Sequence, residues 1–205
     1  CLIKRPFNSF HRKNLNLRLN DVKREFGNKV TWEKDIAITF RLFCQEVNNY
    51  IIDNQKRNFI TNKSALKCTN TADLIYIDPP YISEDGSHVD YHSRYHFLEA
   101  LVNYEKFMNK INYNKLNFEV QINKSLEFES KNRITEDISK LIKKYNNKII
   151  VFSYRNKGIP SIKELKNIFV DCNMDCSIYM IKSHSYALNR KNKGLSEYVF
   201  IAKPK

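Results

Sequence analysis

The sequence predicts an α/β fold: part of a doubly wound, mostly parallel sheet that closes with an antiparallel strand pair at its C-terminal edge. Three observations carry this. Two apolar runs, 73–77 (DLIYI) and 148–154 (KIIVFSY), are separated by stretches of helical periodicity, which is the pattern of a crossover between parallel strands. The second run is apolar without alternation, as expected of a strand covered on both faces. The last two strand candidates, 175–185 and 197–203 (EYVFIAK), follow one another through the basic, polar loop 187–196 with no helix between them, which favours antiparallel pairing.

Taken in order, residues 1–30 form a basic entry segment in which Arg12 and Lys13 sit among the aromatic anchors Phe7 and Phe10. Residues 31–56 read as a helix. Thr31 is its candidate cap, and Ile36, Phe40, Phe43, Val47 and Ile51 recur at three- and four-residue steps. A short strand is expected over 57–62 (RNFITN), then the better strand 73–77, stopped by Pro79-Pro80. A polar loop over 82–94 leads to a helix from about 95 to 109, with Phe97, Leu101, Tyr104 and Met108 on one side. Residues 110–134 are Asn/Lys-rich and ambiguous. Helices follow at 135–146, with Thr135 as cap and Ile138, Leu141 and Ile142 inward, and at 161–169. No repeat interrupts the pattern, so 1–205 is expected to be a single domain.

Composition narrows the function. With 42% hydrophobic and 13% aromatic residues the 205-residue chain is not disordered. Its net charge of +13 fits a polyanionic partner, most simply nucleic acid. The four glycines, Gly27, Gly86, Gly158 and Gly194, lie too far apart for a GxGxxG segment or a P-loop, which excludes a self-contained dinucleotide or NTPase site of those kinds. Five scattered cysteines fit a reducing, cytoplasmic setting better than a disulfide framework, and Cys172-x-x-x-Cys176 lacks a second ligand pair, so no metal is expected. His92-x-x-x-His96 likewise lacks a Glu between its members. No stretch approaches the ~20 apolar residues of a membrane span. The chain opens on Cys rather than Met, which leads us to expect a piece of a longer protein.

In an open α/β sheet, ligands bind beyond the carboxyl ends of the strands. There this sequence places Asp78-Pro79-Pro80-Tyr81. Two prolines fix φ and remove two backbone donors, so a stiff corner offers a carboxylate and carbonyl oxygens beside an aromatic face. Such a corner suits the exocyclic amine of a nucleobase, whose lone pair is delocalised into the ring. A carboxylate and a rigid carbonyl, each accepting one N–H, favour a pyramidal nitrogen and free the lone pair. Stacking on Tyr81 holds a base extruded from its helix, at about 1–3 kcal/mol per stacked base. The simpler alternative is a strand that proline merely terminates.

The corner and the blocks around it, KRPFNSFHRKNLNLR, DLIYIDPPYIS, VDYHSRYHFLEALVNYEKF, SYRNKGIPS and SEYVFIAKPK, resemble the S-adenosylmethionine-dependent DNA adenine-N6 methyltransferases of restriction–modification systems, the DPPY class. The resemblance implies a Rossmann-like methyltransferase sheet, S-adenosylmethionine as cofactor and double-stranded DNA as substrate. It implies that Asp78 and the Pro79 carbonyl accept the amine hydrogens, that Pro80 keeps the loop rigid and that Tyr81 stacks on the base. Ser153 and Tyr154 would wall the pocket. Two departures concern the cofactor. The family's Gly-rich loop is absent from these residues. The acidic residue that contacts the cofactor's adenine is replaced, in a loose alignment, by Ser64, leaving Ser64 and Asp78 as the cofactor-binding candidates. The chain therefore looks like an incomplete catalytic domain, the carboxyl-terminal portion of such an enzyme, which needs an amino-terminal segment or subunit carrying the Gly-rich loop.

Arg12, Lys13, Arg94 and Arg155 are the candidate DNA contacts. Each has a plainer reading: the entry segment as a solvated charged stretch, Arg94 as part of a helix start, Arg155 as half of a structural salt bridge. Gly158 is expected to turn the chain with positive φ. For the chain as a whole the alternatives are a non-catalytic DNA-binding remnant, or an enzyme that acts on RNA.

Overall fold

The computed structural model describes residues 35–86, 88, 100, 102–114, 127–181 and 196–205. They fall into two compact units, one drawn from Cys1–Phe59 and Asp90–Lys124, the other from Ile60–Val89 and Ser125–Lys205.

In the first unit, helix α1 spans Ile36–Asn48. Its cap is Asp35, whose carboxylate accepts the Ile38 amide at 2.8 Å, so the helix starts later than Thr31 suggests. It also stops earlier. Asp53 and Asn54 turn their side-chain oxygens onto the amides of Gln55 and Lys56 at 2.8 and 3.0 Å, and Gln55 takes a left-handed φ of 55°. Such local bonds compete with both helix and strand, and the strand expected over 57–62 does not form. Helix α2 is a single turn, Tyr104–Phe107, continued by the 3-10 turn Met108–Lys110. Residues 95–99 of the helix expected there lie outside the described residues.

The second unit holds the sheet. Its strands are β1 Leu74–Ile77, β2 Ile82–Ser83, β3 Ile149–Arg155, β4 Gly158–Ile159, β5 Met174–Ile181 and β6 Glu197–Pro204. Four of them form one sheet in the order β1-β3-β6-β5. β1 and β3 pair in parallel, Leu74 opposite Ile149 and Ile77 opposite Phe152. β6 is antiparallel to both β3 and β5. Three strands thus run one way, and the last strand of the chain is inserted between two of them against their direction.

Helices α3, Ile134–Lys144, and α4, Ile162–Asp171, make the two crossovers. Ile138, Leu141 and Ile142 of α3 and Leu165 and Phe169 of α4 join Ile150, Phe152, Met174 and Phe200 of the strands in one core. Phe152 meets Phe169 and Phe200 edge-on at 6.0 and 6.3 Å, and those two rings stack at 5.9 Å. Among the described residues the apolar run of β3 is fully covered on one face only. Ile150, Phe152 and Tyr154 are fully buried, while Val151 and Ser153 between them are half-buried. Both crossover helices serve the same face, so among the described residues the second helical layer of a doubly wound sheet is missing. On β1, Leu74 and Tyr76 remain 52% and 62% exposed.

Local chemistry explains the helix ends. α3 starts at Ile134, with Arg133 and not Thr135 in the cap position, and carries Glu136 and Asp137 in its first turn and Lys143 and Lys144 in its last, as its dipole favours. Asp137 is fully buried, and its Oδ2 accepts the Phe128 amide at 3.0 Å, with Phe128 in a left-handed φ of 60°. Lys144 spans from α3 to the carbonyls of Ala65 and Leu66, at 3.2 and 2.9 Å, and to that of Cys68, so it ties down the 3-10 turn Ala65–Lys67.

α4 opens with a capping box: the Ser161 hydroxyl accepts the Glu164 amide at 3.3 Å, and the Glu164 carboxylate accepts the Ser161 amide at 2.7 Å. Among the described residues no disulfide joins Cys44, Cys68, Cys172 and Cys176. No helix among the described residues is long and apolar enough to cross a membrane.

The Ser161 hydroxyl, and then its amide, hold the Glu164 carboxyl below its ordinary value of 4.5. A lowered folded value means stabilisation that is present above the unfolded pKa and is lost as pH falls through the folded one. Ser161→Ala is therefore expected to cost about 1 kcal/mol in urea unfolding near pH 7. The difference from the parent should shrink on acidification below the ordinary value. A constant difference from neutral to strongly acidic pH would show that the carboxylate takes no part.

Candidate active site

β1 delivers Asp78 to its carboxyl tip, with the carboxylate exposed, Pro79 buried and Pro80 half-buried. The parallel neighbour β3 outruns β1 by three residues, Ser153, Tyr154 and Arg155. The chain leaving each strand then meets the other: β2 follows the acidic corner, β4 follows the exit of β3, and the two pair antiparallel, Ile82 opposite Ile159 and Ser83 opposite Gly158. Two loops at one end of the sheet are thereby fastened together.

Between them lies Tyr81, which three groups hold among the described residues. Its hydroxyl donates to Asp78 Oδ1 at 2.7 Å. Its ring meets Tyr154 edge-on, with centroids 5.8 Å apart and planes at 73°. The Arg155 guanidinium lies over the ring, 5.5 Å from the centroid. Arg155 itself is anchored by Nη2, which donates to the Ser83 hydroxyl at 2.5 Å.

Tyr154 supports the arrangement from beneath. It is 1% exposed, and its hydroxyl donates to the Pro160 carbonyl at 2.8 Å. Burial, opposed by the charge of Arg155, pushes the phenol well above its ordinary value, so it stays protonated and keeps donating. Gly158 has no positive φ; Lys157 before it takes the left-handed turn at 55°. The glycine is needed for room, because a Cβ there would lie 2.7 Å from the Tyr154 hydroxyl oxygen.

Asp78, Pro79, Pro80, Tyr81, Tyr154 and Arg155 thus gather at one strand end. Ser153 lies beside Tyr154 in sequence but on the opposite face of β3, where it pairs with Val199. Ser64 caps the 3-10 turn, accepting the Leu66 amide at 3.3 Å, and donates to the Glu127 carboxylate. Arg12, Lys13 and Arg94 lie outside the described residues. Ser83, Pro160 and Glu127 are participants that the sequence pattern did not single out. A two-residue strand has no periodicity to read, and the carbonyl of Pro160 leaves no trace in composition. Among the described residues no cluster of three His, Cys, Asp or Glu is placed to hold a metal ion.

What these elements define is a mixed α/β sheet whose acidic, proline-braced strand tip stands beside a clamped aromatic ring. Over 161 residues, 73% of the chain, the sequence is 32% identical to the modification methylase StsI of Streptococcus sanguinis. The chain spans 23% of that relative's length. No protein-family model matches the chain, and no solved structure matches it.

Replacing Gly158 by Ala is expected to displace Tyr154 from the Pro160 carbonyl and to destabilise the fold by about 1–3 kcal/mol. Chemical denaturation measures it. An unchanged midpoint would mean that Tyr154 moves aside freely.

Proposed function

We propose that this chain carries the catalytic corner of a DNA adenine-N6 methyltransferase of the restriction–modification type. It would act on double-stranded DNA in the cytoplasm, with S-adenosylmethionine as the methyl donor. In this reading the sheet is the carboxyl-terminal part of a Rossmann-like methyltransferase domain. The observation that carries the reading is the Asp78–Tyr81 corner at the carboxyl end of the parallel pair β1–β3, in a chain similar to a modification methylase.

The residues do the following. An adenine drawn out of its duplex stacks on Tyr81. Its amine donates one hydrogen to Asp78, whose Oδ2 has no hydrogen bond among the described residues, and the other to the Pro79 carbonyl. With both hydrogens engaged the nitrogen becomes pyramidal, and its lone pair leaves the ring system. S-adenosylmethionine, when bound, would supply a methyl group on its sulfonium, the C–S electron pair staying on sulfur as the amine nitrogen takes the methyl. The surplus proton on nitrogen leaves through Asp78 to solvent. Fixed oxygens aimed at the developing positive charge are the main source of rate.

Of the two cofactor-binding candidates, the Asp78 carboxylate stands exposed at the strand tip, whereas the Ser64 hydroxyl is engaged by Glu127 and the Leu66 amide. Nothing in a chain with four scattered glycines makes the close-wrapping loop that the methionine part of the cofactor needs. An amino-terminal segment or subunit would supply it. The glycine count also favours a second reading, a non-catalytic DNA-binding remnant or truncated subunit of such an enzyme.

Asp78→Ala in the full-length protein is expected to lower methyl incorporation into adenine by at least about 10²-fold while DNA affinity holds. Normal methylation by that variant would remove Asp78 from the chemistry. A parent protein that binds DNA but neither S-adenosylmethionine in calorimetry nor methylates adenine would establish the remnant.

A further inference from the structure

We propose that Arg155 is a positioning residue: it backs one face of the Tyr81 ring and so fixes the plane in which an extruded base is received. This rests on the adenine-methylation reading and deepens it.

The geometry sets Arg155 apart from a phosphate contact. A side chain that reads phosphate keeps its head group in water, at the rim. Here the Arg155 Nε is buried with no hydrogen-bond partner among the described residues, a placement that costs free energy. The guanidinium is directed instead at two groups of the opposing loop, the Tyr81 ring at 5.5 Å and the Ser83 hydroxyl at 2.5 Å. Ser83 is itself fixed by pairing with Gly158 in β4. A planar, forked cation can stack and donate sideways at the same time; an ammonium group cannot do both.

The consequence is directional. The Tyr81 hydroxyl is tied to Asp78, its ring packs against Tyr154 with the planes at 73°, and the Arg155 guanidinium lies over one face. These contacts set the plane of the ring, and that plane determines whether the amine of a base stacked on it reaches the Asp78 carboxylate. Loosening the backing would leave the base bound but misaligned, and a misplacement of about 1 Å can cost about 10²-fold in rate.

The test uses the full-length protein with Arg155→Ala, Arg155→Lys and Ser83→Ala, and Asp78→Ala in parallel. Three quantities are read: kcat for adenine methylation, DNA affinity as a function of salt, and thermal melting. We expect Arg155→Ala to lower kcat by ~10- to 100-fold with the DNA affinity and salt slope of the parent. Arg155→Lys should fail to rescue, and Ser83→Ala, which keeps the cation but removes its anchor, should lower kcat in the same direction. Rescue by lysine, or a salt slope reduced by about 0.9, would make Arg155 a phosphate ligand and overturn the proposal. Unchanged kcat in both Arg155→Ala and Ser83→Ala would overturn it too. If Arg155→Ala fails to fold, Ser83→Ala decides alone. Full activity of Asp78→Ala would instead sink the underlying assignment, whatever Arg155 does.

Discussion

The hydrogen bond from the buried Tyr154 hydroxyl to the Pro160 carbonyl is the contact on which the candidate site depends. It closes a tight return at the end of β3 and brings Gly158 and Ile159 back beside the segment that leaves β1. Only then can two residues on each side pair and fasten the loops. The Tyr154 ring also packs against the Tyr81 ring in a T-shaped contact. One side chain thus joins the hydrophobic core, through Phe152, to the acidic corner. Its donor is reliable because burial keeps the phenol protonated. A phenylalanine at this position would preserve the packing and lose the link.

The α/β character was plain in the sequence, because the residues that decide it act locally. DLIYI followed by two prolines has few alternatives, and a helix at 135–146 follows from the spacing of Ile138, Leu141 and Ile142. The antiparallel β5–β6 pair was legible for the same reason, from strands joined without a helix. The insertion of β6 between β3 and β5 was not, since strand order is a property of three-dimensional closure and no residue in EYVFIAK encodes its neighbours. The failures share a cause. Thr31 and Thr135 are good caps in isolation, but Asp35 offers a side-chain acceptor closer to the apolar turns, and α3 has its cap at Arg133, two residues before Thr135. The strand expected over 57–62 lost to side-chain bonds made just upstream at Asp53 and Asn54.

The corner itself was legible as a string, and its supports were not. Asp78, Pro79, Pro80 and Tyr81 are adjacent in the chain, so their chemistry is read at once. Arg155 and Ser83 are 72 residues apart, and nothing in either segment announces the other. Gly158 shows the limit of reasoning by residue type. Glycine suggests a left-handed turn, yet here the turn falls on Lys157, and the glycine answers a neighbour's bulk. Ser153 and Tyr154 show another. The sequence resemblance implies a pocket wall made of both, but consecutive residues on a strand face apart.

Among the described residues the sheet order leaves β1 at one rim, with Leu74 and Tyr76 largely bare. A rim strand of this kind is a template: amides and carbonyls on its outer side can accept an extended segment, and its apolar side chains reward the arrival. Produced by itself, this polypeptide would be inclined to add strands from its own copies and to gather into sticky aggregates. Fusion to a charged carrier, or a lysine at either bare position, would be the practical remedy for anyone handling it in solution.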